Sequence, residues 1–173
     1  MKTGIRRQIG RVLGALLLFL PSCASLPSQE TQLGDAEAYH NRGLAYGKKG
    51  RYDQAISDYT KALEMDPRYA KAYADRGFAR GKKGQYDQAI SDFTRAIEIN
   101  PGDARTLYNR GVAYGKKGLY DQAISDYTKT LEIDPKFAEA YYNRAVVYGK
   151  KGMHDQAVLD YSRALEIDPK LAR

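Results

Sequence analysis

Residues 104–137 read ARTLYNRGVAYGKKGLYDQAISDYTKTLEIDPKF, and this stretch decides the fold because the chain writes it four times with small changes. Segments 36–69, 70–103, 104–137 and 138–171 align without a gap at a period of 34 residues. GKKG recurs at 47, 81, 115 and 149, DQA at 53, 87, 121 and 155, and each copy carries a late proline: Pro67, Pro101, Pro135 and Pro169. A fixed period of this length marks an array in which each unit buries its apolar face against its neighbours.

The punctuation inside one unit predicts two helices. Gly50, Gly84, Gly118 and Gly152 stand where a first helix must stop, since glycine takes the left-handed conformation there without a Cβ clash. Asp53 and its counterparts then fall in the first turn of a second helix, where negative charge suits the dipole. The prolines end that helix, lacking an N–H and clashing backwards. Counting along the unit, position 8 is Gly43, Gly77, Gly111 or Ala145, and position 20 is alanine in all four copies. Small residues there let the helices of a unit approach closely, beside an aromatic residue at position 24: Tyr59, Phe93, Tyr127 and Tyr161.

The period and pattern resemble the tetratricopeptide repeat over residues 36–171. The resemblance implies an all-α fold, a right-handed α-solenoid of four helix–turn–helix units, with the first helices lining a concave inner surface. Two departures stand out. Position 7, where the family pattern prefers leucine, is Arg42, Arg76, Arg110 and Arg144. Position 11 is tyrosine except at Arg80 in the second unit. The expectation is that the arginine stems pack while their heads reach water, and that the second unit packs less well. The recurring Asp and Glu are expected to decorate solvent faces.

In family terms the inner surface is a peptide-binding groove. Position 9 gives it an apolar floor of Leu44, Phe78, Val112 and Val146. Position 6 gives a polar row, Asn41, Asp75, Asn109 and Asn143, resembling the asparagine ladder of some peptide-binding members, with Asp75 the exception. Asparagine both donates to and accepts from a peptide backbone. Tyr108 and Tyr142 at position 5 favour the second half of the groove, where the first half offers His40 and Ala74. Position 13 adds Lys48, Lys82, Lys116 and Lys150, each flanked by a second lysine. Such a stripe attracts acidic segments or a terminal carboxylate; it also opposes the helix dipole, so both readings stand. The Asn row has the same two readings, ligand contact or repeat consensus. The dicarboxylate clamp of chaperone-binding members is not made in either register: the chain offers His40, Leu44, Asp75, Arg105 and Asn109, or Ala74, Phe78, Asn109, Glu139 and Asn143.

Outside the array, residues 1–22 have the layout of a signal peptide: Lys2, Arg6, Arg7 and Arg11, then the apolar run from Val12 to Leu20. Nine residues fall short of the roughly 20 that a membrane-spanning helix needs. Leu20-Pro21-Ser22-Cys23 resembles the lipobox of bacterial lipoproteins, although Pro21 departs from it, and Cys23 is the single cysteine. Lipidation of Cys23 implies a membrane anchor, and by resemblance Ala24 implies an outer-membrane lipoprotein facing the periplasm. The alternative is cleavage after Ala24, giving a soluble periplasmic or secreted protein. Residues 23–35, with Pro27 and Gly34, are expected to form a flexible tether.

The formal charge of +7 does not describe the array. Setting aside the four basic residues of the signal segment leaves 24 basic against 21 acidic, a balance of +3 and not a nucleic-acid footprint. No metal-ligand spacing, phosphate loop or catalytic constellation is present in the sequence; His154 stands where Tyr52, Tyr86 and Tyr120 stand elsewhere and reads as a packing substitute. The expectation is a non-catalytic scaffold without cofactor, metal or nucleic acid, binding other proteins. No helix follows Leu171, and Leu159 replaces Ser57, Ser91 and Ser125. That points to an apolar end covered by another protein, a homodimer through the last repeat included, and the alternative reading is a small patch that the fold tolerates.

Overall fold

The computed structural model describes residues 29–172. The apolar run, the lipobox-like stretch and Cys23 lie outside the described residues. Eight α-helices follow one another, with no strand among the described residues: α1 Gln29–Lys48, α2 Tyr52–Met65, α3 Ala70–Lys82, α4 Tyr86–Ile99, α5 Ala104–Lys116, α6 Tyr120–Ile133, α7 Ala138–Lys150 and α8 His154–Ile167. A single 3-10 turn, Pro169–Ala172, follows and packs on α8. No described helix is long and apolar enough to cross a membrane.

Each odd helix packs most closely on the even helix after it, each even helix on the next odd one, and the odd helices touch one another in series. The result is a solenoid with α1, α3, α5 and α7 along one side. The small residues carry this arrangement. A Cβ on Gly43 would stand 2.6 Å from Tyr59 Cε1, and one on Gly111 2.8 Å from Tyr127 Cε1. The turns close as the sequence predicts: Gly50, Gly84, Gly118 and Gly152 have φ of 71°, 75°, 75° and 76°. The core is a string of small clusters, each spanning a junction: Ala55, Tyr59 and Ala79; then Ala89, Phe93 and Ala113; then Ala123, Tyr127 and Val147.

The structure corrects several expectations. The heads of the position 7 arginines do not generally reach water. Arg110 donates from Nε and Nη2 to Asp126 Oδ2 and Oδ1 at 2.7 and 2.9 Å, and its side chain is 14% exposed. Arg76 with Asp92 and Arg144 with Asp160 repeat the pair. Arg42, in the first of the described units, makes it with Asp58 but stays half exposed. The aspartates at position 23 therefore do not decorate a solvent face. They are buried, and the arginine fork supplies both charge and hydrogen bonds there.

Arg80 adds a third donor to the same chemistry, reaching Asp92 Oδ2 at 2.7 Å. The second unit accordingly loses the tyrosine that packs beside its neighbours' cores and gains an ion pair. The tether expected over 23–35 overlaps α1, which begins at Gln29. Gly34 lies inside that helix at the modest cost, about 1 kcal/mol, that a helical glycine carries. His154 is exposed at the start of α8, unlike the half-buried tyrosines it replaces, and so does not pack as they do. Leu159 is 70% exposed, but Ser57, Ser91 and Ser125 are exposed too even with a following unit stacked. Position 22 thus lies off the stacking face.

Candidate functional site

The side formed by α1, α3, α5 and α7 carries a row of concavities. One of about 280 Å³ lies between α3, α4 and α5, floored by Phe78, Val112 and Phe93 and edged by Lys82 and Lys116. A second of about 310 Å³ is framed by Lys71, Asp75, Phe78, Arg105 and Asn109. A third of about 120 Å³ continues along α5 and α7 past Val112, Val146, Asn143 and Lys150. A fourth of about 310 Å³ opens at the end of the array between α7 and α8, with Tyr142, Val146, Val158 and Tyr161 in its wall.

Most of the residues picked from the sequence therefore converge on one face. Phe78 and Val146 are exposed, Leu44 and Val112 half-buried, as an open apolar floor requires. The lysines divide by position. Lys83, Lys117 and Lys151 at position 14 pair with Asp53, Asp87 and Asp121 of the preceding unit. Lys48, Lys82, Lys116 and Lys150 at position 13 are exposed and have no acidic partner within 4.0 Å among the described residues. Lys82 sets its Nζ 5.1 Å from the centre of the Phe78 ring, which holds the charge beside the floor.

The polar row is less uniform than its sequence. Asn41 is exposed, and Asn109 lines two of the concavities. Asn143 donates from Nδ2 to the Tyr108 hydroxyl at 2.7 Å, so that amide is engaged across the junction of units three and four. Tyr108 also leans on Phe137, ring centres 4.9 Å apart, and desolvation pushes its phenol above the ordinary range. Tyr142 lies at the open end. At the other end of the array, buried His40 bridges Asp75 Oδ2 at 2.8 Å and the Tyr69 hydroxyl at 3.1 Å. That ties unit one to unit two and takes Asp75 out of the free row.

Sequence reasoning did not find Tyr86 and Phe93, second-helix residues that help line the concavity between α3, α4 and α5, nor Lys71 and Arg105 beside Asp75. Nothing in a repeat pattern marks which second-helix aromatics show through between first helices. Among the described residues no three His, Cys, Asp or Glu are grouped to hold a metal ion. The face combines an apolar floor, amides and a margin of ammonium groups that have no acidic partner among the described residues.

Comparison with known families places the tetratricopeptide repeat on residues 36–69, 104–137 and 138–171. Two further repeat models of the same kind match residues 58–91 and 82–118, so the second unit is recognised out of register with the others. No curated protein matches the chain. Among solved structures, a crystal structure of MamA is 30% identical, covers 83% of this chain and 88% of its own, and has a TM-score of 0.76. A second MamA structure is 33% identical over 80% of this chain and 75% of its own, with a TM-score of 0.74. The first TPR of Spaghetti (RPAP3), bound to the HSP90 peptide SRMEEVD, is 27% identical over 69% of this chain and 95% of its own, with a TM-score of 0.68.

Proposed function

Because the chain belongs to the tetratricopeptide repeat family, we propose that it is a non-catalytic scaffold of the bacterial cell envelope, binding a short segment of other proteins in the groove of α1, α3, α5 and α7. The observation that carries this reading is the apolar floor of Phe78, Val112 and Val146 beside lysines 82, 116 and 150, whose charges have no acidic partner among the described residues. Unpaired ammonium groups beside desolvated carbon select a ligand with acidic side chains or a terminal carboxylate next to an apolar anchor. A solved relative holds a peptide with two glutamates and an aspartate, an acidic ligand of the same general class, but this chain lacks the dicarboxylate clamp of chaperone-binding members and would hold such a ligand through the lysine margin instead. With roughly 10 Å between inner helices and about 3.3 Å per extended residue, four units cover about nine residues of such a segment. The envelope address rests on residues 1–23, with Cys23 as the lipidated residue and the outer membrane as its destination.

Two experiments test this reading. Crosslinking in the native host, followed by identification of what is held, is repeated with Lys82→Glu, Lys116→Glu and Lys150→Glu combined. Loss of the captured proteins with helicity intact is expected; unchanged capture overturns the groove. Cys23→Ser is expected to move the protein from the membrane to the soluble fraction, and retention overturns the anchor. A second reading, assembly through self-association, is favoured by the open end of unit four, where Val158 is 64% and Tyr161 40% exposed.

A further inference from the structure

The chain shows three times how one unit receives the next. At each junction a small residue at position 10, Ala79, Ala113 or Val147, is buried against the alanine and aromatic of positions 20 and 24 in the unit before. At the first junction Ala72, at position 3, is buried with Ala62 and Leu63, and its counterparts Thr106 and Ala140 are buried too. Two polar ties accompany the packing. The position 7 arginine gives its Nη1 to the threonine at position 25 of the preceding unit: Arg76 to Thr60 at 3.1 Å, Arg110 to Thr94 at 3.1 Å, Arg144 to Thr128 at 2.9 Å. The position 14 lysine pairs with the aspartate at position 18 of the preceding unit.

The two ends of the array hold the unmatched halves of this joint. On the leading face Ala38 and Ala45, counterparts of the buried small residues, are exposed. Arg42 uses Nε and Nη2 on Asp58, and Lys49 is exposed with no acidic partner among the described residues. The extra turns of α1 leave all four uncovered. On the trailing face Ser162 stands at the place of the threonines and Asp155 at the place of the paired aspartates, both exposed. Ala157 and Tyr161 border the 310 Å³ concavity that, by the internal pattern, takes the position 10 residue of a following unit.

We propose that a second copy of this chain fills that place, the α1 face of one copy seating on the α7–α8 face of another through the same contacts that join units within the chain. Charge complementarity gives the direction, with Lys49 meeting Asp155 and Arg42 meeting Ser162, and Ala45 supplies the small residue for the concavity. The inference deepens the self-association reading by naming the partner face, and it is independent of what lies in the groove. Because the two faces differ, the contact is heterologous; repeating it continues the solenoid from copy to copy and does not close a pair.

The test is sedimentation velocity of the full chain carrying Cys23→Ser, which removes lipid-driven clustering. A ladder of species that lengthens with concentration is expected. Ala45→Arg blocks the leading face by filling the room kept for a small residue, and Val158→Lys with Asp155→Lys blocks the trailing face, so the two blocked faces carry like charge; all three positions are exposed, and circular dichroism checks that helicity is kept. Each blocked variant alone is expected to be monomeric, and an equimolar mixture of the two to give a single one-to-one dimer. Monomer alone in the unblocked chain overturns the proposal. So does association that neither variant alters. A pair that forms with the leading face blocked but not with the trailing face blocked overturns the head-to-tail joint while leaving self-association through the last repeat standing.

Discussion

At the residue scale the most informative side chains are the arginines at position 7, whose sequence invites one reading and whose surroundings impose another. Sequence alone shows an arginine where leucine belongs, and it shows aspartate at a fixed period; it does not show that residues 16 apart face each other. The pairing is a property of how close the two helices lie, which the small residue at position 8, glycine in three units and Ala145 in the fourth, allows. A buried fork of this kind costs far more to break on one side than to replace whole. Asp126→Ala, leaving the Arg110 guanidinium half-buried without its counter-charge, is expected to lower unfolding stability by about 3 kcal/mol. Arg110→Leu with Asp126→Ala is expected to recover most of that, both read from urea unfolding. The tyrosines at position 24 make a second residue-scale prediction. Burial pushes the phenols of Tyr59 and Tyr127 above the ordinary value, so the folded state holds their protons more tightly than the unfolded chain, whose tyrosines titrate near about 10. Their contribution is complete below that pH and declines as pH rises through the folded values. Alkaline titration followed by circular dichroism should show unfolding stability falling above about pH 10, with a shallower fall in Tyr127→Phe.

At the scale of the element, the helix boundaries were legible because glycine and proline punctuate every unit, and the start of α1 was not. Residues 29–35 carry no repeated phrase, and a short polar run containing a glycine reads as tether whether or not it continues a helix. The glycines themselves separate into classes that sequence gives as one. At Gly149 a Cβ would meet nothing within 4 Å, so Gly149→Ala is expected to stabilise the protein by about 0.5–1 kcal/mol through helix propensity. At Gly111 the same change drives a Cβ to 2.8 Å from a ring that is 2% exposed and has nowhere to go. Overpacking of about 1–3 kcal/mol then outweighs the gain, and a lower melting temperature is expected. Unit four already carries Ala145 at this position, beside Tyr161, whose ring lies partly in the open and can make room.

At the scale of the molecule, the period gave the solenoid and the order of its helices, and position numbers gave most of the groove. The state of each groove residue was not legible: whether Asn143 is free or held by Tyr108, and which lysine of a GKKG pair is tied to a neighbour, depend on contacts between units that share no local signal. Each unit touches only the next, so stability sums over units and junctions. Hydrogen exchange is therefore expected to be fastest in α8 and the leading turns of α1, and slowest in α4 and α5, and uniform protection would contradict it. The uniformity of the junctions reaches further than one molecule's energetics. The arginine–threonine and lysine–aspartate contacts recur at all three joints, so a crossover between misaligned gene copies, 34 codons out of step, yields a shorter or longer chain whose joints keep those shared contacts. Array length is thus a trait that inheritance can lengthen or trim in whole steps, without inventing a new contact.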